Sequence, residues 1–307
     1  MAKVHSVYQH ALNLIVDDGA LITLASPGIA IMPMGIIVDN VLDLGWSVKV
    51  GDLVTLGQEE LLRCKSIAFV DIDDAQVWDP APILEGAIIS EQTLIQMRSE
   101  LVGWLTDQPN MGLLPLLKSL TAHSCDSDDE ASDAYSRYIA KDLLQFVNEM
   151  HSLEWQRALN TARNLIGFGM GSTPSCDDFL VAYLVVFAIG QTLEPVRFAW
   201  VSEFNQGIVA LAKTRTTTIS ASMLEHAATG KVSQSHQRLI HGCLFETDCD
   251  LVELMNEVGQ TGASSGMDFL LGLSCSLEWF IDTVILHPAK GGMEQVGAKQ
   301  LQPVTIV

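Results

Sequence analysis

The residues best placed to do chemistry lie between Gly167 and Phe179. Three glycines occupy alternate positions, Gly167, Gly169 and Gly171, and run directly into Ser172, Thr173, Pro174, Ser175, Cys176, Asp177 and Asp178. Glycines at that spacing let backbone N–H groups come close to a ligand. A helix beginning just beyond them adds unpaired N–H donors and the positive end of its dipole. The arrangement suits an anion, phosphate or carboxylate, with Gly169, Gly171, Ser172, Thr173 and Ser175 as candidate ligand contacts. Thr173 before Pro174 reads as an N-cap followed by proline at the first helical position. Adjacent carboxylates beside such donors suit Mg²⁺ binding or general acid–base work, which makes Asp177 and Asp178 both the candidate catalytic groups and the candidate Mg²⁺ ligands. The loop is not a Walker sequence, because no Lys-Ser/Thr follows the glycines, and no convincing strand precedes it as a dinucleotide fingerprint requires.

Part of the pattern recurs. Ser175 to Leu180 and Ser265 to Leu270 both read Ser-x-x-Asp-Phe-Leu, each after a small-residue loop and before an apolar run. A capping box, in which serine caps the helix and the acid three residues on returns to the serine N–H, accounts for Ser265 with Asp268 and for Asp178. It leaves Asp177 and the glycines unexplained. The sharper reading is that the two helix starts converge on one cleft, adding Ser264, Ser265 and Asp268 to the ligand-binding set. Arg215 lies between the motifs among hydroxyls. It suits either a bidentate pair with an anion or the stabilised C-terminus of one helix before a new N-cap at Thr218 or Ser220. His5, near Asn13, is the one histidine assigned to the ligand-binding set. No His-x-x-x-His, His-Glu-x-x-His or Gly-x-Ser-x-Gly pattern occurs, which argues against a zinc hydrolase or a serine hydrolase.

These residues need a scaffold, and the chain is long enough to supply one: 307 residues, 48% of them apolar. Up to about residue 79, short apolar runs alternate with turns: Leu12 to Val16, Leu21 to Leu24, Ile29 to Met32, Val48 to Val50, Leu53 to Leu56 and Ser66 to Val70. They predict a small antiparallel barrel or sandwich. After Pro80 and Pro82 the rhythm becomes long and amphipathic, predicting helices over 90–106, 113–122, 131–150, 153–165, 174–189, 195–213, 220–229, 235–245, 250–258 and 265–285. The class is α+β. The expected organisation is a β-rich domain at 1–85, a helical domain carrying the glycine loop at 86–290 and a tail at 291–307.

A net charge of −20 argues against nucleic acid and anionic membrane surfaces as partners. The apolar run from Phe179 to Gly190 falls short of a bilayer span, and no secretory signal opens the chain, so a cytoplasmic setting is expected. Six cysteines without a Cys-x-x-Cys pair read as free thiols. The acidic run 126–133 reads as a solvated loop lacking the glycine and terminal glutamate of an EF-hand loop.

The pattern Gly167-x-Gly-x-Gly171-x-Thr-Pro-Ser-x-Asp-Asp-Phe-Leu180, with Val4-His-Ser-Val at the start and Ser265-Gly-x-Asp268 later, resembles a bacterial family that includes the AllH-type subunit of oxamate carbamoyltransferase. The resemblance covers most of the chain. It implies a part in purine-ureide breakdown, where a carbamoyl group moves between oxalurate and phosphate, and it implies other subunits of a carbamoyltransferase complex as partners. From the residues alone, two other classes stay open: a non-catalytic assembly subunit, and a Mg-nucleotide- or phosphate-dependent enzyme of another substrate.

Overall fold

In a computed structural model of the chain, the described residues are 1–39, 48–56, 61–64, 67–71, 75–81, 91–124, 134–245 and 249–286. The expected acidic loop at 126–133 and the tail at 291–307 lie outside them. Two compact units result: Met1–Ala81 with the short excursion Val232–Ser235, and the rest of the chain.

The first unit is one sheet of seven strands: β1 (Ala2–Val7), β2 (Ala11–Val16), β3 (Leu21–Ala25), β4 (Gly35–Ile37), β5 (Leu53–Leu56), β6 (Leu61–Cys64) and β7 (Ile67–Asp71), in the order β4-β3-β2-β1-β5-β6-β7. All pairs are antiparallel except β3 with β4, which run parallel. Alternate side chains from β1, β2, β3 and β5 meet in a small core of Val4, Leu12, Leu14, Leu24 and Val54, joined by Val38 and Val48. Two expectations need correction. The apolar stretch from Ile29 to Met32 forms no strand, because Pro33 follows it and Met34 adopts a left-handed φ of 57°; the strand begins at Gly35. Val48 to Val50 leads into a turn closed by the Lys49 N–H on the Asp52 carboxylate at 3.0 Å.

The second unit is helical: α1 (Glu91–Thr106), a 3₁₀ turn (Leu114–Leu116), α2 (Leu117–Thr121), α3 (Ala134–His151), α4 (Trp155–Leu165), α5 (Ser175–Leu193), α6 (Trp200–Arg215), α7 (Thr218–Ala227), α8 (Gln234–Phe245), α9 (Leu251–Gly259) and α10 (Ser265–Phe280), the last continuing as a π-helical turn (Ile281–Leu286). The sequence explains their packing. In α4 the buried residues Trp155, Ala158, Ala162 and Leu165 recur at three- and four-residue spacing, one stripe turned inward. By contrast α5 and α10 are apolar on every side and are buried on every side. Although α5 has the length and composition to cross a bilayer, 83% of its most apolar stretch is enclosed by protein, which makes it a core helix. At the crossing of the two, a Cβ on Gly272 would come within 2.4 Å of the Phe179 carbonyl oxygen, so only glycine lets these backbones approach so closely. Phe146, Phe179, Tyr183, Phe187 and Trp279 pack edge-to-face and tilted around the pair.

Candidate functional site

Both Ser-x-x-Asp motifs begin buried helices of the second unit, and the structure brings them together. The Thr173 and Ser265 hydroxyls, 92 residues apart in sequence, lie 2.8 Å from each other. Neither helix uses the expected cap. Pro174 itself is the N-cap of α5, with φ −58° and ψ 142°, so Thr173 stands outside the helix and Ser175 is its first residue. Ser264 is the N-cap of α10, and its hydroxyl donates to Asp268 Oδ2 at 2.9 Å instead of returning to the backbone. The capping box is therefore not formed at either end.

The hydroxyls serve the acids across the helix pair. Ser265, with Thr173, favours the ionised form of Asp178, while Ser175, with Ser264 and the Leu113 N–H, does so for Asp268. Each serine thus supports the aspartate of the other motif. Burial dominates nonetheless. It pushes the Asp178 carboxyl well above its usual range, with Asp268 and Asp177 adding like-charge repulsion, and it pushes Asp268 up to about 6. Asp268 is satisfied at both oxygens, Oδ1 accepting the Leu113 N–H at 2.6 Å. Asp178 is not: its Oδ2 is buried and has no hydrogen-bond partner. Such an atom either carries a proton or awaits a donor.

Asp177 faces elsewhere. Its Oδ1 accepts the Gly167 N–H at 2.8 Å, and its Oδ2 accepts the hydroxyls of Ser220, at 2.6 Å, and Thr216. Burial raises this carboxyl too, opposed by those three donors. With both oxygens committed and its neighbour turned toward Thr173 and Ser265, Asp177 does not fit a Mg²⁺ ion shared with Asp178. What it does is tie the start of the glycine loop to the α6–α7 turn.

The loop is pinned at further points. Cys176 donates its N–H to the Phe168 carbonyl at 3.0 Å, and the Thr217 hydroxyl donates to the Ser172 carbonyl. Thr217, not Thr218 or Ser220, is the N-cap of α7. Gly167 and Gly169 have φ of +83° and +143°, and a Cβ on either would meet backbone at 2.1 Å, Arg215 O and Ser175 N respectively. Gly171, at φ +90°, borders open space. Between the pins, Met170, Gly171 and Ser172 are exposed, and their N–H groups have no partner among the described residues.

Family models match two parts of the chain: residues 165–277, as oxamate carbamoyltransferase subunit AllH, and residues 1–77, as the AllH family N-terminal domain. The chain belongs to the AllH family. No solved structure matches it. The family's name makes its members subunits of an enzyme that moves a carbamoyl group, and the AllH match spans both Ser-x-x-Asp motifs and everything between them.

Of the residues expected at the site of this AllH-family chain, Ser172, Thr173, Ser175, Asp178, Ser264, Ser265 and Asp268 come together with the glycine loop. Arg215 ends α6 with its backbone against Gly167, and its Nη1 donates to the Arg163 carbonyl at 2.8 Å, closing the C-terminal turn of α4. His5 belongs to the first unit, on β1, where Nδ1 lies 3.3 Å from the Ser6 hydroxyl. Sequence reasoning missed Gly112 and Leu113. Gly112, at φ +54°, has no room for a Cβ, which would stand 2.2 Å from Asp268 Oδ1, and it delivers the Leu113 N–H to that oxygen. A lone Asn-Met-Gly turn carries no signal for that role. Cys176 is buried and its thiol is pushed well up by burial and the surrounding carboxylates, leaving it inert.

Proposed function

We propose that this chain is the substrate-binding subunit of a carbamoyl-transferring enzyme, taking a small anionic substrate where the glycine loop meets the starts of α5 and α10. The observation that carries the reading is the meeting of Thr173 and Ser265, beside a buried Asp178 whose Oδ2 has no hydrogen-bond partner and a loop whose Met170, Gly171 and Ser172 N–H groups have none among the described residues. Those N–H groups, at the positive end of α5, suit a phosphate or carboxylate. Arg215, exposed at the end of α6 with its backbone against Gly167, would have to leave the Arg163 carbonyl to meet the anion.

The chemistry asks for a proton. When phosphate attacks the ureido carbon of oxalurate, a C–O bond forms and the C–N bond to oxamate breaks; the departing amide nitrogen must be protonated as it leaves. A carboxyl kept neutral by burial supplies that proton and recovers it in the reverse direction. In this reading Asp178 is the acid and Asp268, whose charge acts directly on it, is its proton partner. Asp177 is a positioning residue that holds the loop.

A second feature favours completion of the site by another subunit. Two cavities, of about 400 and 520 Å³, are lined from α8–α9 and from α3–α4. At the loop, Met170 is 86% exposed, and Tyr138, 77% exposed, stacks on Phe168. A small-molecule site is ordinarily concave, so a partner closing over these apolar side chains would finish it. Other subunits of a carbamoyltransferase are therefore the proposed partners.

Thermal denaturation of the purified chain with carbamoyl phosphate, oxamate or phosphate tests this. A ligand at a hundred times its Kd stabilises by about 2.7 kcal/mol. Stabilisation of wild type by one of them, lost in Ser265→Ala, supports the site. No shift with any of them, alone or after reconstitution with the partner subunits, refutes it.

A further inference from the structure

A second cluster lies at the opposite end of α10 from its Ser-Asp motif. One ligand atom from each of His123, His151 and Glu278 comes within 4.8 Å of the other two. The residues arrive from three elements: His123 from the turn after α2, His151 as the last residue of α3, and Glu278 from the last turn of α10. His123 Nε2 stands 3.5 Å from Glu278 Oε2. Tetrahedral zinc with bonds of about 2.0–2.1 Å separates its ligand atoms by roughly 3.3 Å, so this edge of the site is nearly at its bound length.

The outer contacts set both rings for the role. His123 Nδ1 lies 3.0 Å from Asn148 Oδ1, which can only accept; in the neutral ring Nδ1 then carries the proton and Nε2 offers its lone pair on the Glu278 side. His151 Nδ1 lies 3.7 Å from the Asp282 carboxylate, while its Nε2 is buried without a hydrogen-bond partner. A ring oriented by an acceptor at one nitrogen and left open at the other is the arrangement of metal-ligating histidines. The rings meet edge to face at 4.4 Å between centroids. His123 holds its place with a left-handed φ of 52°. Arg98 pairs with Glu278 Oε2 at 2.6 Å and is itself tethered to the Ser274 carbonyl, which orients the carboxylate and leaves it further lone pairs.

We propose that His123, His151 and Glu278 form a zinc site that ties α2, α3 and α10 together, with water in the fourth position. Two imidazoles select zinc over Mg²⁺, which prefers oxygen ligands.

The full-length chain, stripped with a chelator and dialysed, is titrated with Zn²⁺ against a chromophoric chelator, and with Co²⁺ while its visible absorption is recorded. One equivalent should bind, with the intense absorption of tetrahedral Co²⁺, undisturbed by excess Mg²⁺. His151→Gln and His123→Gln should each weaken Zn²⁺ binding by at least tenfold, while Asp178→Asn leaves it unchanged. Asn148→Leu, which touches no ligand atom, should weaken it less and also reduce the rise in Tm on adding Zn²⁺, which keeps the test open if a histidine variant fails to fold. The proposal is overturned by the absence of stoichiometric Zn²⁺ binding, by equal affinity in wild type and His151→Gln, or by a thiolate charge-transfer band that assigns the metal to cysteine.

Discussion

Replacing Asp268 with asparagine should stabilise the protein at neutral pH while having little effect in acid. Burial raises the Asp268 carboxyl from 3.8 to about 6, so between those values the folded state holds a proton that the unfolded state has released. Stability contributed by this group is fully present below the unfolded value and is lost as the pH rises through the folded one. Above about pH 7 the loss reaches roughly 3 kcal/mol, two pKa units at 1.36 kcal/mol each; between about pH 4.5 and 7.5 it grows by about 2 kcal/mol. Asparagine keeps an acceptor for the Leu113 N–H and turns its amide toward Ser264, whose hydroxyl can accept as well as donate. Urea unfolding of wild type and Asp268→Asn across that range measures the difference directly. The variant should gain about 2 kcal/mol on wild type from the acid end to the neutral end, in a curve flattened by the coupled ionisation of Asp178. Parallel curves, within about 0.5 kcal/mol throughout, would falsify the claim that this carboxyl is held near neutrality by its surroundings, and with it the proton-partner role.

Two glycine substitutions separate conformation from contact in the loop. Gly169→Ala forces a Cβ to 2.1 Å from the Ser175 nitrogen and should abolish ligand stabilisation, whereas Gly171→Ala meets open space and should cost only about 1 kcal/mol for its positive φ, as read by thermal denaturation with and without ligand. At the core crossing, Gly272→Ala pushes α10 off the Phe179 carbonyl and should cost about 3 kcal/mol in urea unfolding, at the upper end for overpacking because backbone atoms cannot rotate away.

How much of this was legible depends on what each residue was asked to reveal. Helices with a one-sided apolar stripe, such as α4, or apolar throughout, such as α10, begin within about two residues of where periodicity places them, since burial decides both. The start of α6 was misplaced: Pro195 suggested a first helical turn, but the chain makes turns as far as Trp200. Strand β1 escaped notice because a bulge between Val4 and Ser6 shifts its register, so its apolar residues do not alternate. At the site, residue types pointed to the acids and hydroxyls, and the recurrence of Ser-x-x-Asp raised their convergence. Which serine serves which acid was beyond reach, because that depends on how α5 lies against α10. The difference between Asp177 and Asp178 was hidden for the same reason: adjacent positions on a helix point about 100° apart, and only the surroundings say which carboxylate is saturated. His123 and His151, 28 positions apart and in no recognisable motif, meet only through tertiary packing.

The contact between Thr173 and Ser265 also makes the site a reporter of chain history. Closing a loop of 92 residues costs about 4 kcal/mol in chain entropy by the logarithmic rule, and nothing in either motif alone repays it. The two halves can meet only after α5 and α10 have docked through their shared core. A nascent or damaged chain therefore has no partial site to offer: ligand capture would select molecules whose interior is already complete.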